Sequence, residues 1–251
     1  MTRVFATAYA TVAYLAFLAV IVRAVAFLSD IGPATAVDRG PATAWPIAAA
    51  IDLLLVAVFA LHHSVFARAS TKRRFARMLP VRVERSTYVL AASALLALVL
   101  WQWRPIPTVI WDVGAEPWRT ALWAVCALGW LIAIGSTFLI DHLGFVGLRQ
   151  AVSGRPPASA FQARWLYALV RHPLMLGLLL AFWVTPIMTW GHALFAAAFS
   201  GYIAIGIRFE ERDLRAELGE PYARYAERTP ALVPGLRPAV RRRSGSLLTP
   251  E

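Results

Sequence analysis

Cysteine is almost missing from these 251 residues. The one present, Cys126, sits inside an apolar run, so neither a disulfide framework nor a thiolate metal site can be assembled. Charge is scarce too. Only 16% of the residues are charged, against roughly 25% in an ordinary soluble domain, while 59% are apolar, so lipid rather than water is the expected solvent. Acidic residues are the rarer sign, 14 against 25 basic, which leaves a net charge of +11. That excess does not indicate nucleic acid, because the arginines lie in short loops and a tail between apolar runs, where they set membrane topology. The sequence holds no convincing repeat and no separate soluble module.

A hydrocarbon core of about 30 Å takes roughly 20 helical residues to cross. Apolar runs of that size predict spans at 4–28, 45–67, 87–103 and 118–140. The stretch 173–209 is too long for one crossing and is interrupted near Pro186, Trp190 and Gly191, which predicts a helical hairpin supplying the fifth and sixth spans. Trp45, Trp101, Trp103, Trp118 and Trp190 fall near the proposed ends, where an amphipathic ring favours the headgroup layer. The expected fold class is therefore all-α, a polytopic bundle of about six transmembrane helices in contact with membrane lipid. Residues 1–235 read as one membrane domain and 236–251 as a basic, disordered tail. Ala34, Thr35 and Ala36 resemble a signal-peptidase site, but the preceding run exceeds a signal-peptide core and is read as an anchor.

Arg68, Lys72, Arg73, Arg74, Arg77, Arg82 and Arg85 crowd one loop, and Arg149, Arg155, Arg164 and Arg171 another, so both loops are expected in the cytoplasm. An even number of spans then puts both termini there as well. Within the spans, Arg23 and Asp52 are costly unless paired or facing a polar cavity. Either they form an ion pair between neighbouring helices, or Arg23 snorkels to the outer surface, or both line a pathway. His62 and His63 point about 100° apart, so only one looks squarely inward. His63 follows Asp52 by eleven residues, about three turns, and shares its face with Val56 and Phe59. It is the inward one, either as a structural histidine or as a reacting group.

Arg171, His172 and Pro173 open the fifth span, with Gly177 shortly after. Proline suits a first helical turn, and the free amides beside it make an anion site for which a carboxylate is suited. The hairpin returns Glu210 and Glu211 to the same membrane face. Small residues at Gly177 and Ala181, and at Ala197 and Gly201, predict that the hairpin's two arms pack closely against each other.

These residues resemble the integral-membrane S-adenosylmethionine methyltransferases related to isoprenylcysteine carboxyl methyltransferase and bacterial phospholipid methyltransferases. The pattern here is Tyr167, His172, Pro173, Gly177, Glu210, Glu211, Gly219, Tyr222 and Tyr225. The resemblance implies S-adenosyl-L-methionine as methyl donor, held from the cytoplasmic side by Tyr167, Arg171, His172, Pro173 and Glu210, together with Gln150 and with Met175, which stands where the superfamily usually has tyrosine. Nearly the whole chain is similar to bacterial methanethiol S-methyltransferases, which convert methanethiol to dimethyl sulfide. Stretches that carry this are His63-Ser64, Glu84 to Leu90, Trp101 to Ile106, Ser136 to Ile140, His142, Gly147 to Gln150, Phe182-Trp183 and Phe209 to Leu214. It implies a bacterial inner-membrane enzyme acting on a small thiol, with no metal. A thiol must lose its proton to react, and His63 and His142 are the two candidates to assist. Another thiol or a lipid as acceptor, a membrane reductase and a non-enzymatic transporter or denitrification-associated factor remain as alternatives. The oligomeric state is left open.

Overall fold

The computed structural model describes residues 2–32, 35–67, 79–155 and 163–236. Most of the first basic loop and nearly all of the expected C-terminal tail, residues 68–78 and 237–251, lie outside the described residues. Among the described residues, five helices are long and apolar enough to cross a membrane: α1 (Arg3–Leu28), α2 (Trp45–Ala67), α3 (Val81–Gln102), α4 (Trp118–Ile140) and α9 (Trp190–Leu218). Their outer faces carry large apolar side chains such as Val4, Phe5, Leu54, Leu61, Leu131 and Phe138, all exposed, while alanines Ala6, Ala10 and Ala13 of α1 are fully buried. Apolar groups point outward because lipid is no less apolar than the interior, so small residues, which let backbones approach, occupy the contacts.

Between α4 and α9 the chain forms short helices, α5 (His142–Phe145), α6 (Leu148–Ser153), α7 (Leu166–Leu169) and α8 (Pro173–Trp183), and after α9 comes α10 (Glu220–Arg228). The predicted hairpin is present with unequal arms. With 11 residues α8 rises only about 16 Å, and the chain completes its return in extended form through Pro186. There β2 (Ile187–Thr189) pairs antiparallel with β1 (Val109–Asp112), in register Val109 with Thr189 and Asp112 with Ile187. This two-stranded piece ties the α3–α4 loop to the α8–α9 loop, so both lie at the same end of the bundle. Close approach continues at Gly191, whose amide donates to Ile106 O at 2.9 Å and where an added Cβ would meet Ile106 N at 2.9 Å.

The packing partner of α8 differs from the sequence expectation. Gly177 and Ala181 face α4, not the small residues of α9: a Cβ on Gly177 would lie 2.5 Å from Ala133 N, and one on Gly129 would lie 2.7 Å from Ala181 N. Gly201 has open space around its Cα. Small-residue spacing specifies a close helix contact without naming the partner, and α4 offers a matching surface at Gly129 and Ala133.

The start of α3 also extends beyond the predicted boundary, to Val81. Its early polar residues are helical because they serve the α5–α6 segment: Arg82 Nη1 donates to Ala151 O at 2.7 Å and Val152 O at 2.9 Å, and Arg85 Nε donates to Phe145 O at 2.7 Å. Elsewhere, Arg23 and Asp52 do not pair. Arg23 donates to the carbonyl and hydroxyl oxygens of Thr35, while Asp52, fully buried as its helical face required, accepts the backbone N–H of Arg104 at 2.9 Å.

Candidate donor and acceptor sites

Pro173 begins α8 at its first turn with His172 as the N-cap. The backbone N–H groups of Arg171 and His172 donate to Pro230 O at 2.9 Å and Ala231 O at 3.1 Å, so the segment after α10 is strapped across the helix entrance. Those two amides are therefore occupied. The anion-binding capacity of the helix start rests on the next amides, of Leu174 and Met175, which in a first turn have no intrahelical acceptor.

Arg171 is built into the fold. Its Nε donates to Glu211 Oε1 at 2.5 Å and its Nη1 to Ala226 O at 2.9 Å and Thr229 O at 2.5 Å, and both side chains of the ion pair are under a tenth exposed. Glu211 also meets His172 Nε2 at 3.1 Å and accepts from Arg215 Nη2 at 2.6 Å. With three cationic groups around one buried carboxylate, Glu211 organises the cluster. The sequence names both glutamates but gives a donor role to Glu210 alone, although Arg215 four residues on was an available signal that Glu211 forms a helical ion pair.

Glu210 is the more available of the two glutamates. Its carboxylate reaches His172 Nδ1 at 3.5 Å and its side chain is 51% exposed. Burial alone would lower the basicity of His172, but hydrogen bonds and charge from Glu210 and Glu211 outweigh it and hold the imidazole above its usual pKa of 6.5. Tyr167 belongs to the same neighbourhood: burial first, then the charge of Glu210, push its phenol up to about 12, and its carbonyl accepts the Tyr225 hydroxyl at 2.5 Å. Tyr222 is buried beneath the cluster, with the Arg215 guanidinium 6.0 Å from its ring centroid. Met175 packs on the apolar core. Tyr167, Arg171, His172, Pro173 and Glu210 are thus brought together as expected from sequence.

Gln150 and His142 are held elsewhere, in the α5–α6 segment. Gln150 is buried, donating from Nε2 to Gly144 O at 3.1 Å while its Oε1 has no partner. His142 has both ring nitrogens engaged, Nε2 with the Tyr14 hydroxyl at 3.0 Å and Nδ1 with Thr137 Oγ1 at 2.8 Å, and its ring stacks on Phe138 at 3.9 Å. Burial lowers its basicity.

His63 has a different setting. Its ring lies among Phe59 at 5.4 Å, Tyr88 at 5.3 Å and Tyr202 at 5.9 Å between centroids, and its Nδ1 is buried without a partner. His62 stacks on Phe66 of its own helix at 4.4 Å and also lies 6.3 Å from Tyr88. A tyrosine one helix away is broad enough to be touched by both histidines. Between His63 and His142 stand Tyr88, Arg85 and Phe145: the Arg85 guanidinium lies 5.0 Å over the Tyr88 ring and 5.3 Å over that of Phe145. An apolar groove of about 760 Å³ opens at the opposite end of the bundle, lined by residues including Trp45, Trp183, Trp190 and Ala197, and no titratable side chain lines it. It is not where acid–base chemistry is placed.

No family model matches the chain, and no solved structure gives a significant match. Among curated proteins, it is 46% identical to a methanethiol S-methyltransferase of Mycobacterium tuberculosis over 93% of this chain and 98% of that protein. It is 47% identical to methanethiol S-methyltransferase 2 of Bradyrhizobium diazoefficiens, over 91% and 89%. Nurim of Xenopus laevis is more distant, 29% identical over 74% of this chain and 70% of that protein. Identity above 40% along nearly the full length of both partners places a chain in its relatives' family, and this one belongs to the methanethiol S-methyltransferase family.

Proposed function

We propose that this protein methylates methanethiol to dimethyl sulfide with S-adenosyl-L-methionine as donor. The observation that carries the reading is the half-exposed Glu210 carboxylate set beside His172 at the start of α8, above a buried cluster that holds both in place. These residues suit the donor's chemistry: a carboxylate for hydroxyls or an ammonium group, and first-turn amides of Leu174 and Met175 for a carboxylate. Arg171 and Glu211 act behind them as positioning residues, and Tyr167 and Gln150 close the same end of the bundle. When bound, S-adenosylmethionine supplies an electrophilic methyl group on a sulfonium.

The chain's own tasks are to hold the acceptor, exclude water and remove a proton. His63 is assigned the last: its unpartnered Nδ1 takes the proton from the thiol S–H, and the freed electron pair on sulfur would form the new S–C bond as the sulfonium–methyl bond breaks and S-adenosylhomocysteine leaves. His142 is assigned a positioning role, since both its nitrogens are already committed. The aromatic rings around His63 keep the reacting sulfur in a dry setting. The proton leaves to solvent once the product has gone.

The membrane placement belongs to the same proposal. Residues 1–235 make one domain of a bacterial inner-membrane protein, the end of the bundle bearing His172 faces the cytoplasm, and both termini lie on that side, as the basic loops direct. The strand pairing that joins the α3–α4 and α8–α9 loops at the opposite end supports the even number of crossings this needs. The test is to incubate the purified full-length chain with methanethiol and S-adenosylmethionine and analyse the headspace. Dimethyl sulfide accumulating with time and protein is expected; binding of S-adenosylhomocysteine without dimethyl sulfide would remove methanethiol as the acceptor.

A further inference from the structure

Five histidines lie in the described residues, and they divide into two kinds. His142, His172 and His192 each have a ring nitrogen bonded: His142 to Tyr14 and Thr137, His172 to its two glutamates, and His192 Nε2 to Phe182 O at 2.9 Å. His62 and His63 each bury an Nδ1 that has no partner. A histidine buried only for packing normally finds an acceptor or donor, because an orphaned buried polar atom destabilises the fold. The Tyr88 hydroxyl is poorly used as well, reaching only His63 O at 3.5 Å. Two orphaned imidazole nitrogens and a weakly engaged tyrosine hydroxyl therefore lie side by side between α2 and α3, next to Tyr202 of α9.

We infer that Phe59, Tyr88 and Tyr202 close an acceptor subsite around His63 that takes a one-carbon thiol and rejects longer alkanethiols. This rests on the proposed methyl transfer and adds to it the place and the size limit of the acceptor. The rings of Phe59, His63 and Tyr202 are in mutual contact, with centroids 5.4 to 6.0 Å apart, and Tyr88 adds a fourth wall 5.3 Å from His63. Rings packed at these distances leave little open space, so an acceptor enters by displacing ring contacts, and a one-carbon thiol displaces fewer of them than a propyl chain does. The S–H of a small thiol is the donor the orphaned Nδ1 lacks. Arg85, anchored by Phe145 O and lying over the outer face of Tyr88, puts a positive charge one ring away, which favours a thiolate over a thiol.

The position on α9 is consistent with a single reaction centre. Tyr202 precedes Glu210 by eight residues, about 12 Å along the same helix, so acceptor walls and donor anchor are carried on one rigid element. Phe199, a turn before Tyr202 and 5.7 Å from Phe59, seals the side away from Glu210.

The experiment compares kcat/KM for methanethiol and 1-propanethiol in the full-length protein, with S-adenosylhomocysteine affinity measured in parallel by calorimetry. Wild type should prefer methanethiol. Phe59→Ala should raise the propanethiol-to-methanethiol ratio by about tenfold or more, the usual weight of methylenes in an apolar pocket, while S-adenosylhomocysteine affinity moves less than about twofold. Phe59→Leu, which keeps the seam filled, should shift the ratio in the same direction and serves if the alanine variant does not fold. An unchanged ratio in Phe59→Leu, in a protein that still makes dimethyl sulfide, overturns the subsite and leaves the methyl transfer standing. Wild type that binds S-adenosylhomocysteine yet methylates neither thiol overturns both.

Discussion

Removing the charge of Glu211 separates the scaffold of the proposed donor site from its proposed ligand contacts. Glu211→Gln leaves Arg171, Arg215 and His172 around an uncharged amide in a place where the Arg171 and Glu211 side chains are 9% and 8% exposed. Breaking a buried ion pair by neutralising one partner costs about 3–5 kcal/mol, because the remaining charge stays desolvated. Little discount for solvent screening applies at that burial. For a chain of this size about 2–4 °C of melting temperature corresponds to each kcal/mol, so a loss of the order of 10 °C is expected. Glu210→Gln, on a half-exposed carboxylate 3.5 Å from His172, should lower the melting temperature by no more than about 2 °C. The assay is intrinsic-fluorescence melting of both variants in one detergent at one scan rate, since unfolding of such proteins is often irreversible. Equal melting temperatures for Glu211→Gln and wild type would refute the assignment of Glu211 as organiser.

Three further outcomes follow. The pKa of His172 is raised in the folded protein, so its stabilising contribution is fully present below about 6.5 and is lost as pH rises through the raised value; the melting temperature of wild type should fall across that window, and His172→Gln should flatten the change. His63→Ala should lower turnover by roughly 100-fold or more with S-adenosylhomocysteine affinity retained, whereas His142→Ala should act mainly on stability through its lost bonds to Tyr14 and Thr137, as parallel rate and melting measurements will distinguish. Gly177→Val should separate α8 from α4, since even a Cβ would sit 2.5 Å from Ala133 N; the expected cost is about 1–3 kcal/mol or more, read as loss of folded protein after detergent extraction.

Much of the architecture was legible because lipid imposes length and composition on anything that crosses it. Spans at 45–67 and 118–140 match α2 and α4 to the residue, and the inward face of α2 followed from Asp52 and His63 standing about three turns apart. What the sequence concealed depended on which surfaces meet. Four-residue spacing at Gly177 and Ala181 announced a close contact but not that Gly129 and Ala133 of α4 would supply it. Arg23 and Asp52 looked like partners because each is costly alone, yet each found its own hydrogen bonds, to Thr35 and to the Arg104 backbone. In the proposed donor site the sequence named the helix start and the glutamate pair. It did not reveal that the strap from Pro230 and Ala231 occupies the Arg171 and His172 amides, because that pairing joins segments about 60 residues apart without side-chain signature. His142 and His63 looked equivalent as bases until their partners were visible.

Transfer of a labelled methyl group tests the central claim most directly. With S-adenosylmethionine carrying a trideuterated methyl and unlabelled methanethiol, headspace mass spectrometry should show dimethyl sulfide three mass units heavier than the unlabelled compound. Loss of one charged hydrogen bond is worth about 1.5–3 kcal/mol, so Glu210→Gln should raise the donor KM by about 10- to 100-fold in the same measurement. Unlabelled product, or an unchanged donor KM in Glu210→Gln, would contradict methyl transfer from a donor held at His172 and Glu210.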